Sequence, residues 1–192
     1  MVDADQGYGI DDRMGALFDA VSLNGVTCRR AILTRIAGAG IDGDDYRIAG
    51  SRARLDAWGD APIGPRDFAS LLADEIMMIS RIFRRQLIVP DWQDFCRAIT
   101  LIFDEVAADR SGANADYIPI LRDADPEKWG VAICSVDGQR FHLGDVDVYH
   151  SIQSVSKPIT YAFALSREGE EFTSRYVGTE PSGRPFNQSH AA

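Results

Sequence analysis

The first 109 residues carry hydrophobic positions at helical spacing, three and four residues apart. In DRMGALFDAVS these positions are Met14, Leu17, Phe18 and Val21. The same spacing predicts further helices over TCRRAILTRIAGAG, over residues 44–58 and 65–84, and over DWQDFCRAITLIFDEVAAD, where Asp91 is the expected N-cap. The pattern therefore predicts about five helices in the first 110 residues.

The helical pattern stops at RSGANADYIPILRDADPEKWG, where Gly, Asn, Asp and two prolines replace it. We place a domain boundary here, with a helical domain over residues 1–109 and a second domain over residues 110–192. Beyond the boundary, WGVAICSV and QRFHLGDV flank Asp137 and Gly138 and predict a β-hairpin with a two-residue turn of positive φ. A last helix is predicted from about residue 155 to residue 168, ending near Gly169.

The elements predicted for residues 110–192 are too few to enclose a hydrophobic core. A two-stranded hairpin and one helix need further strands or helices to cover their apolar faces. We therefore expect these residues to be the opening part of a larger domain, and the chain to be incomplete. The predicted fold class is α+β, with the helices first and the sheet after them.

The amino-acid composition excludes some classes of function. The chain has 192 residues, of which 45% are hydrophobic and 26% charged, as in a globular protein of one large or two small domains. Its net charge of -9 argues against nucleic acid as a partner, because phosphate binding needs a clustered basic surface and the longest basic cluster is RIFRR. A small molecule is the more plausible partner.

The cysteines and the N-terminal sequence bear on location. Cys28, Cys96 and Cys134 are odd in number and far apart, which fits neither a disulfide framework nor a zinc site. MVDADQGYGIDDR has no apolar core, and no apolar run of 18 residues occurs. We expect a cytoplasmic protein with no membrane partner.

Calcium binding by the helical region is not expected. The loop in LFDAVSLNGVTCRRAIL offers only Ser22 and Asn24 as oxygen ligands, and IDGDDYRI lacks a closing glutamate. The prediction for metal ions is therefore none.

Ser154, Val155, Ser156 and Lys157 form an S-x-x-K sequence at the start of the last predicted helix. Residues three apart share a helix face, so a lysine amine of lowered pKa could take the proton of the Ser154 hydroxyl. The first helical N–H groups could then stabilise an oxyanion. Pro158 disfavours helical backbone at Lys157. From these residues alone, the pattern is either a reactive pair or an ordinary polar helix start.

The surrounding sequence resembles a known family. RRQLIVPDWQDF, ADYIPILRDADPEKWGVAICSVDGQRFHLGD, IQSVSKPITYAFAL and RYVGTEPSGRPFN, in this order, closely resemble the serine-dependent glutaminases, which hydrolyse L-glutamine to L-glutamate and ammonia. The helical region together with Lys157 and Pro158 is similar to the long, animal-type members, whose N-terminal helices form an EF-hand-like region. The resemblance implies a catalytic domain of the β-lactamase and penicillin-binding-protein type.

The resemblance also implies roles for individual residues. Ser154 matches the nucleophile and Lys157 its base, while Gln153 and Tyr117 match residues that contact the substrate, L-glutamine. Ser156 has no role in this pattern. No cofactor and no metal are implied, and family members commonly form homodimers or homotetramers. Because the family's motifs continue beyond PSGRPFN, we expect a truncated catalytic domain, and the activity of the short chain stays open.

Two other functions remain as alternatives. The first is a different S-x-x-K acyl-transfer hydrolase that reacts with β-lactams, to be recognised by penicillin labelling of Ser154. The second is a non-catalytic helical interaction module, which would bind partners through apolar surface left uncovered by an incomplete sheet.

Overall fold

The computed structural model describes residues 12–180 and residue 183. Its α-helices are α1 Asp12–Asp19, α2 Arg29–Gly38, α3 Ala49–Trp58, α4 Pro65–Leu72, α5 Ile76–Phe83, α6 Trp92–Ala107, α7 Pro119–Arg122, α8 Ser156–Glu168 and α9 Glu170–Thr173. Two antiparallel strands are β1 Gly130–Cys134 and β2 Arg140–Gly144, and short 3-10 turns occupy Tyr46–Ile48 and Gln153–Val155. This mixture of helices and a small antiparallel sheet confirms the α+β class.

The helix predicted over residues 65–84 is in fact two helices, α4 and α5, so this prediction was wrong at residues 73–75. Arg54 of α3 explains the break. Its Nε donates to the Leu71 carbonyl at 2.8 Å, and its two terminal nitrogens bind the carboxylates of Asp74 and Glu75. These tertiary contacts satisfy the end of α4 and turn the chain into α5.

Two helix starts also differ from their sequence patterns. The segment over 44–58 opens with the 3-10 turn, which Asp45 caps by accepting the Arg47 N–H at 2.9 Å. Asp91 does occupy the N-cap position of α6, but its side chain makes no capping hydrogen bond. It instead forms an ion pair with Arg85.

The hydrophobic core of the described residues lies entirely between Leu17 and Trp92. At its centre Phe68 is fully buried and packs its ring against Phe18, at a centroid distance of 5.4 Å, and against Phe83, at 6.2 Å. The loops of the pairs α1–α2 and α3–α4 are joined by an antiparallel bridge in which Thr27 and Ile63 exchange two hydrogen bonds of 2.9 Å.

The predicted hairpin is present, with Gly130 opposite Gly144 and Cys134 opposite Arg140. Its turn differs from the expected two-residue turn. Three residues, 136–138, connect Ser135 to Gln139, and only Gly138 has a positive φ, of +80°. The Gly138 N–H donates to the Ser135 carbonyl at 2.9 Å, so the turn is the three-residue type with a bulge at glycine.

The predicted final helix is also present. It is α8, and it ends at Gly169, whose φ of +82° stops the helix. None of its side chains is buried. Among the described residues after 110, only Asp137, Gln139 and Thr173 are buried. The domain boundary near residue 110 stays a prediction. It agrees with the difference in burial between the helical region and the residues after 110. No helix within residues 12–180 has the length and apolar character that a membrane span requires.

Candidate functional site

The turn before α8 holds Ser154 in place through Gln153. Gln153 has a φ of +46°, a left-handed backbone that costs a residue with a side chain about 1–3 kcal/mol. Its carbonyl accepts the Ser156 hydroxyl at 2.8 Å. Its side-chain Oε1 accepts the Tyr117 hydroxyl at 2.7 Å, and its Nε2 donates to the Ser151 Oγ at 2.9 Å. Three contacts therefore maintain a strained conformation directly before Ser154.

Ser154 and Lys157 lie three residues apart in one helical run, with Ser154 in the 3-10 turn and Lys157 in the first turn of α8. Pro158 is accommodated in the first turn of α8, where its missing N–H has no helical acceptor to lose. Both Ser154 and Lys157 are exposed, and within residues 12–180 no hydrogen bond joins the Ser154 hydroxyl to the Lys157 amine. The helix start expected from the sequence is present, whereas the hydrogen-bonded pair is not formed.

Tyr117 reaches this turn from a separate part of the chain, 36 residues away. It lies directly before the N-cap of α7. Asn114 closes this loop, because its Nδ2 donates to the carbonyls of Arg122, at 3.2 Å, and Ala124, at 2.6 Å. The tertiary structure thus joins Tyr117 to Gln153, two of the four residues singled out in the sequence.

Residues 112–192 match the family model described as Glutaminase. These residues belong to the glutaminase family. We call them the glutaminase segment. The final part of the segment, including PSGRPFN except Gly183, lies outside the described residues.

Named relatives agree with the family match. The mouse protein "Glutaminase liver isoform, mitochondrial" is 35% identical over 121 residues, 63% of this chain and 20% of that protein. "Putative glutaminase 2" of Caenorhabditis elegans is 31% identical over 198 residues, 96% of this chain and 33% of that protein. "Glutaminase" of Corynebacterium efficiens is 47% identical over 87 residues, 45% of this chain and 21% of that protein. The chain thus spans about a fifth to a third of the length of these relatives.

The worm relative is similar to the helical region as well as to the glutaminase segment, because its match covers 96% of this chain. The bacterial match covers less than half of the chain. A sequence similar to the helical region therefore accompanies the glutaminase segment in the worm protein also.

The glutaminase segment leaves the S-x-x-K turn open to solvent. The large apolar side chains nearest to it in sequence are exposed: Tyr149, Ile152, Val155, Ile159 and Phe163. Two grooves, of 620 and 670 Å³, lie on the helical region instead, and neither is lined by Tyr117, Gln153, Ser154 or Lys157. The described residues thus position Ser154 but do not enclose it.

Sequence reasoning missed the residues that support the turn. Ser151 and Asn114 hold Gln153 and the Tyr117 loop, yet nothing in their sequence surroundings distinguishes them from other polar loop residues. Ser156, to which the pattern assigned no role, holds the Gln153 carbonyl. The three cysteines are unpaired, and no cluster of metal-ligating side chains occurs within the described residues.

Proposed function

We propose that this chain carries the nucleophile-bearing part of a glutaminase, which hydrolyses L-glutamine to L-glutamate and ammonia through a serine acyl-enzyme. The observation that carries the proposal is the family match over residues 112–192, which includes the S-x-x-K turn at the start of α8. The relatives, which are named as glutaminases, support L-glutamine as the substrate.

In the proposed reaction, the Ser154 Oγ attacks the side-chain carboxamide carbon of glutamine, and the Lys157 Nζ accepts the hydroxyl proton. The C–N bond then breaks, and that proton leaves with ammonia while the glutamyl group stays on Oγ as an ester. Water then attacks the ester carbon, the bond from this carbon to Oγ breaks, one proton of the water passes through Lys157 to the Ser154 Oγ, and the remaining hydroxyl leaves on glutamate. The positive end of the α8 helix dipole would stabilise the oxyanion in both steps.

The proposed base, Lys157, is not covered by the described residues. An amine loses its proton near neutral pH when burial disfavours the charged form, and Lys157 is exposed here. We propose that substrate and further polypeptide cover this amine in the active protein. The chain matches only about a fifth to a third of the length of each relative, which is consistent with further polypeptide in the active protein. The truncation expected from the sequence stays a prediction.

Tyr117 and Gln153 are proposed to contact the substrate. Tyr117 OH and the Gln153 amide form one connected polar group beside Ser154, with donors and acceptors suited to the carboxylate and amine of an amino acid. We propose catalytic roles for Ser154, Lys157 and Tyr117, and substrate binding for Gln153, Ser154 and Tyr117.

We further propose that the helical region is EF-hand-like and that the chain has the animal-type architecture, with domains over residues 1–109 and 110–192. Support comes from the pairing of α1–α2 with α3–α4 through the Thr27–Ile63 bridge, and from the worm match over both regions. We also propose a β-lactamase-like catalytic domain, which the family match supports. Cytoplasmic localisation is a proposal supported by the unpaired cysteines.

A second candidate is an interaction module without catalysis, in agreement with the proposed homo-oligomer. It is favoured by exposed apolar side chains on α6 and α8, where Leu101, Ile102, Ile159 and Phe163 are each more than half exposed. Light scattering over a concentration series tests it. A chain that stays monomeric at every concentration would argue against both the oligomer and the module.

Ammonia release from glutamine tests the proposed function. Ser154→Ala is expected to lower the rate by about a thousandfold or more, since the acyl-enzyme can no longer form. Ser166→Ala, which changes an exposed serine elsewhere on α8, is the matched control and should keep the rate of the unchanged chain. Equal rates for the two variants would overturn the assignment of Ser154.

A chemical readout covers the case of slow turnover. An electrophilic glutamine analogue carrying a diazoketone should label Ser154 covalently, as detected by peptide mass, and should leave Ser166 unlabelled. A folded chain with neither ammonia release nor label would favour the interaction module.

A further inference from the structure

The turn of the hairpin inserts two polar side chains, Asp137 and Gln139, into the helical region. Gln139 is fully buried and Asp137 is 9% exposed, although most of the glutaminase segment is exposed. Burial of a polar side chain lowers the stability of the fold unless each of its polar groups is hydrogen-bonded. The hydrogen-bond partners of Asp137 and Gln139 therefore identify the groups that stabilise this contact.

Both the nitrogen and the oxygen of the Gln139 side-chain amide are hydrogen-bonded. Its Nε2 donates to the carbonyls of Ala39 and Val89, each at 2.9 Å. Its Oε1 accepts the Val89 N–H at 3.2 Å and the Ser135 hydroxyl, also at 3.2 Å. The side chain therefore joins the C-terminal end of α2 to the segment before α6, two parts of the helical region that are 50 residues apart.

Asp137 binds the same segment before α6 and two further parts of the helical region. Its carboxylate accepts the Ile88 N–H at 2.6 Å and pairs with Arg81 of α5 at 2.8 Å. Its main-chain carbonyl accepts Arg47 Nη2 at 2.7 Å, from the 3-10 turn. A backbone hydrogen bond of 2.8 Å from Arg140 to Gly40 continues the contact into β2.

We infer that Asp137 and Gln139 form a polar latch that docks the glutaminase segment onto the helical region in one register, through an interface specific to these helices. All of the buried side-chain polar atoms in the described part of the chain have partners, so the latch is complete. A polar interface of this kind imposes orientation, because a displaced hairpin leaves carbonyls and amides of both sides unpaired.

The latch also positions the route to Ser154. Only eight residues, 145–152, separate β2 from the 3-10 turn that begins at Gln153. The helical region thereby supports the hairpin, and the chain continues from the hairpin to the 3-10 turn that contains Ser154. This inference concerns docking alone and does not depend on the proposed glutaminase activity.

Hydrogen–deuterium exchange of the whole chain tests the latch. Gln139→Leu keeps a side chain of similar size but removes the four hydrogen bonds of the amide. Hairpin amides of residues 130–144 should then exchange about ten- to a hundredfold faster, while the amides of α2 to α5 keep their protection. Val136→Ala is the matched control, because Val136 belongs to the same turn and is 90% exposed, and it should leave exchange unchanged.

Asp137→Asn provides a milder second variant, since it keeps the size and one acceptor oxygen while it removes the charge. It should speed exchange of the same hairpin amides severalfold relative to Val136→Ala. Two results would overturn the latch. One is hairpin exchange in Gln139→Leu and Asp137→Asn equal to that of the control. The other is loss of protection throughout α2 to α5, which would make Gln139 part of a single shared core.

Discussion

At the scale of single residues, backbone conformation is as informative as side-chain chemistry. Gln153 has a positive φ that its side chain and carbonyl contacts maintain, and it directly precedes Ser154. Gly138 has a positive φ and a close neighbour, because Arg47 Nη2 occupies the place that a Cβ would take. Each position therefore accepts a narrow range of residues for a reason that lies in its neighbours.

Gly138→Ala is expected to destabilise the chain. The added Cβ costs about 1–2 kcal/mol for the left-handed backbone, and it also displaces the Arg47 guanidinium from the Asp137 carbonyl. Urea unfolding followed by tryptophan fluorescence measures the loss. Gly178→Ala is the control, since a Cβ there meets nothing within 4 Å. A midpoint for Gly138→Ala that matches the control would contradict this account of the turn.

At the scale of elements, the helices divide into two kinds. Helices α2 to α5 each bury hydrophobic side chains in one shared core, whereas α8 buries none. Since helical stability in proteins comes mostly from packing of an apolar face, the first group depends on its tertiary contacts. Helix α8 lacks such buried contacts and is bounded by the 3-10 turn at Gln153 and by Gly169.

Phe68→Ala tests the core of the helical region. Removing a fully buried ring that contacts Phe18 and Phe83 should lower the free energy of unfolding by about 3–5 kcal/mol. Phe163→Ala removes the same ring from α8, where the side chain is 65% exposed, and should change it by less than about 0.5 kcal/mol. Thermal unfolding by circular dichroism compares the two, and similar losses would argue against the core described here.

At the scale of the whole molecule, acidic groups connect the glutaminase segment to the helices. Burial raises the pKa of Asp137, but the hydrogen bond from Ile88 and the Arg81 and Arg47 guanidinium groups outweigh it, so the pKa lies below its ordinary value. The Arg47 side chain lowers the pKa of Asp45 in the same way. Both carboxylates therefore favour the folded state in their charged form.

The stability of docking should depend on pH in the acid range only. A carboxylate with a lowered pKa contributes its full stability above the unfolded pKa of about 3.9, and this contribution is lost as the pH falls below it. Acid unfolding followed by circular dichroism should therefore show a smaller decline between about pH 5 and pH 2 in Asp137→Asn than in the unchanged chain. Asp104→Asn, at an exposed carboxyl on α6, is the control and should keep the original slope.

Prediction from the sequence succeeded where structure depends on near neighbours. The helical spacing around Leu17 and Phe18, the hairpin around Gly138 and the helix stop at Gly169 are all present. Prediction failed where contacts between residues distant in sequence determine the structure. The break between α4 and α5 depends on Arg54, which lies in another helix and carries no signal in the apolar pattern of residues 65–84.

The candidate site divides in the same manner. The S-x-x-K sequence and its family resemblance single out Ser154, Lys157, Gln153 and Tyr117, because residue type and spacing can be read directly from the sequence. The contact of Tyr117 with Gln153, the strained φ of Gln153 and the exposure of Lys157 come only from folding. These features depend on which groups desolvate or bind one another across long stretches of sequence.

The sequence by itself determined the α+β class, the succession of a helical region, a hairpin and a last long helix, and the membership of residues 112–192 in the glutaminase family, because local periodicity, turn chemistry and motif order need no partner. Only the tertiary structure decided that Asp137 and Gln139 enter the helical region. A polar residue in a hairpin turn is ordinarily solvated, and burial becomes favourable here because Arg47, Arg81, Ile88, Val89 and Ala39 converge to satisfy it.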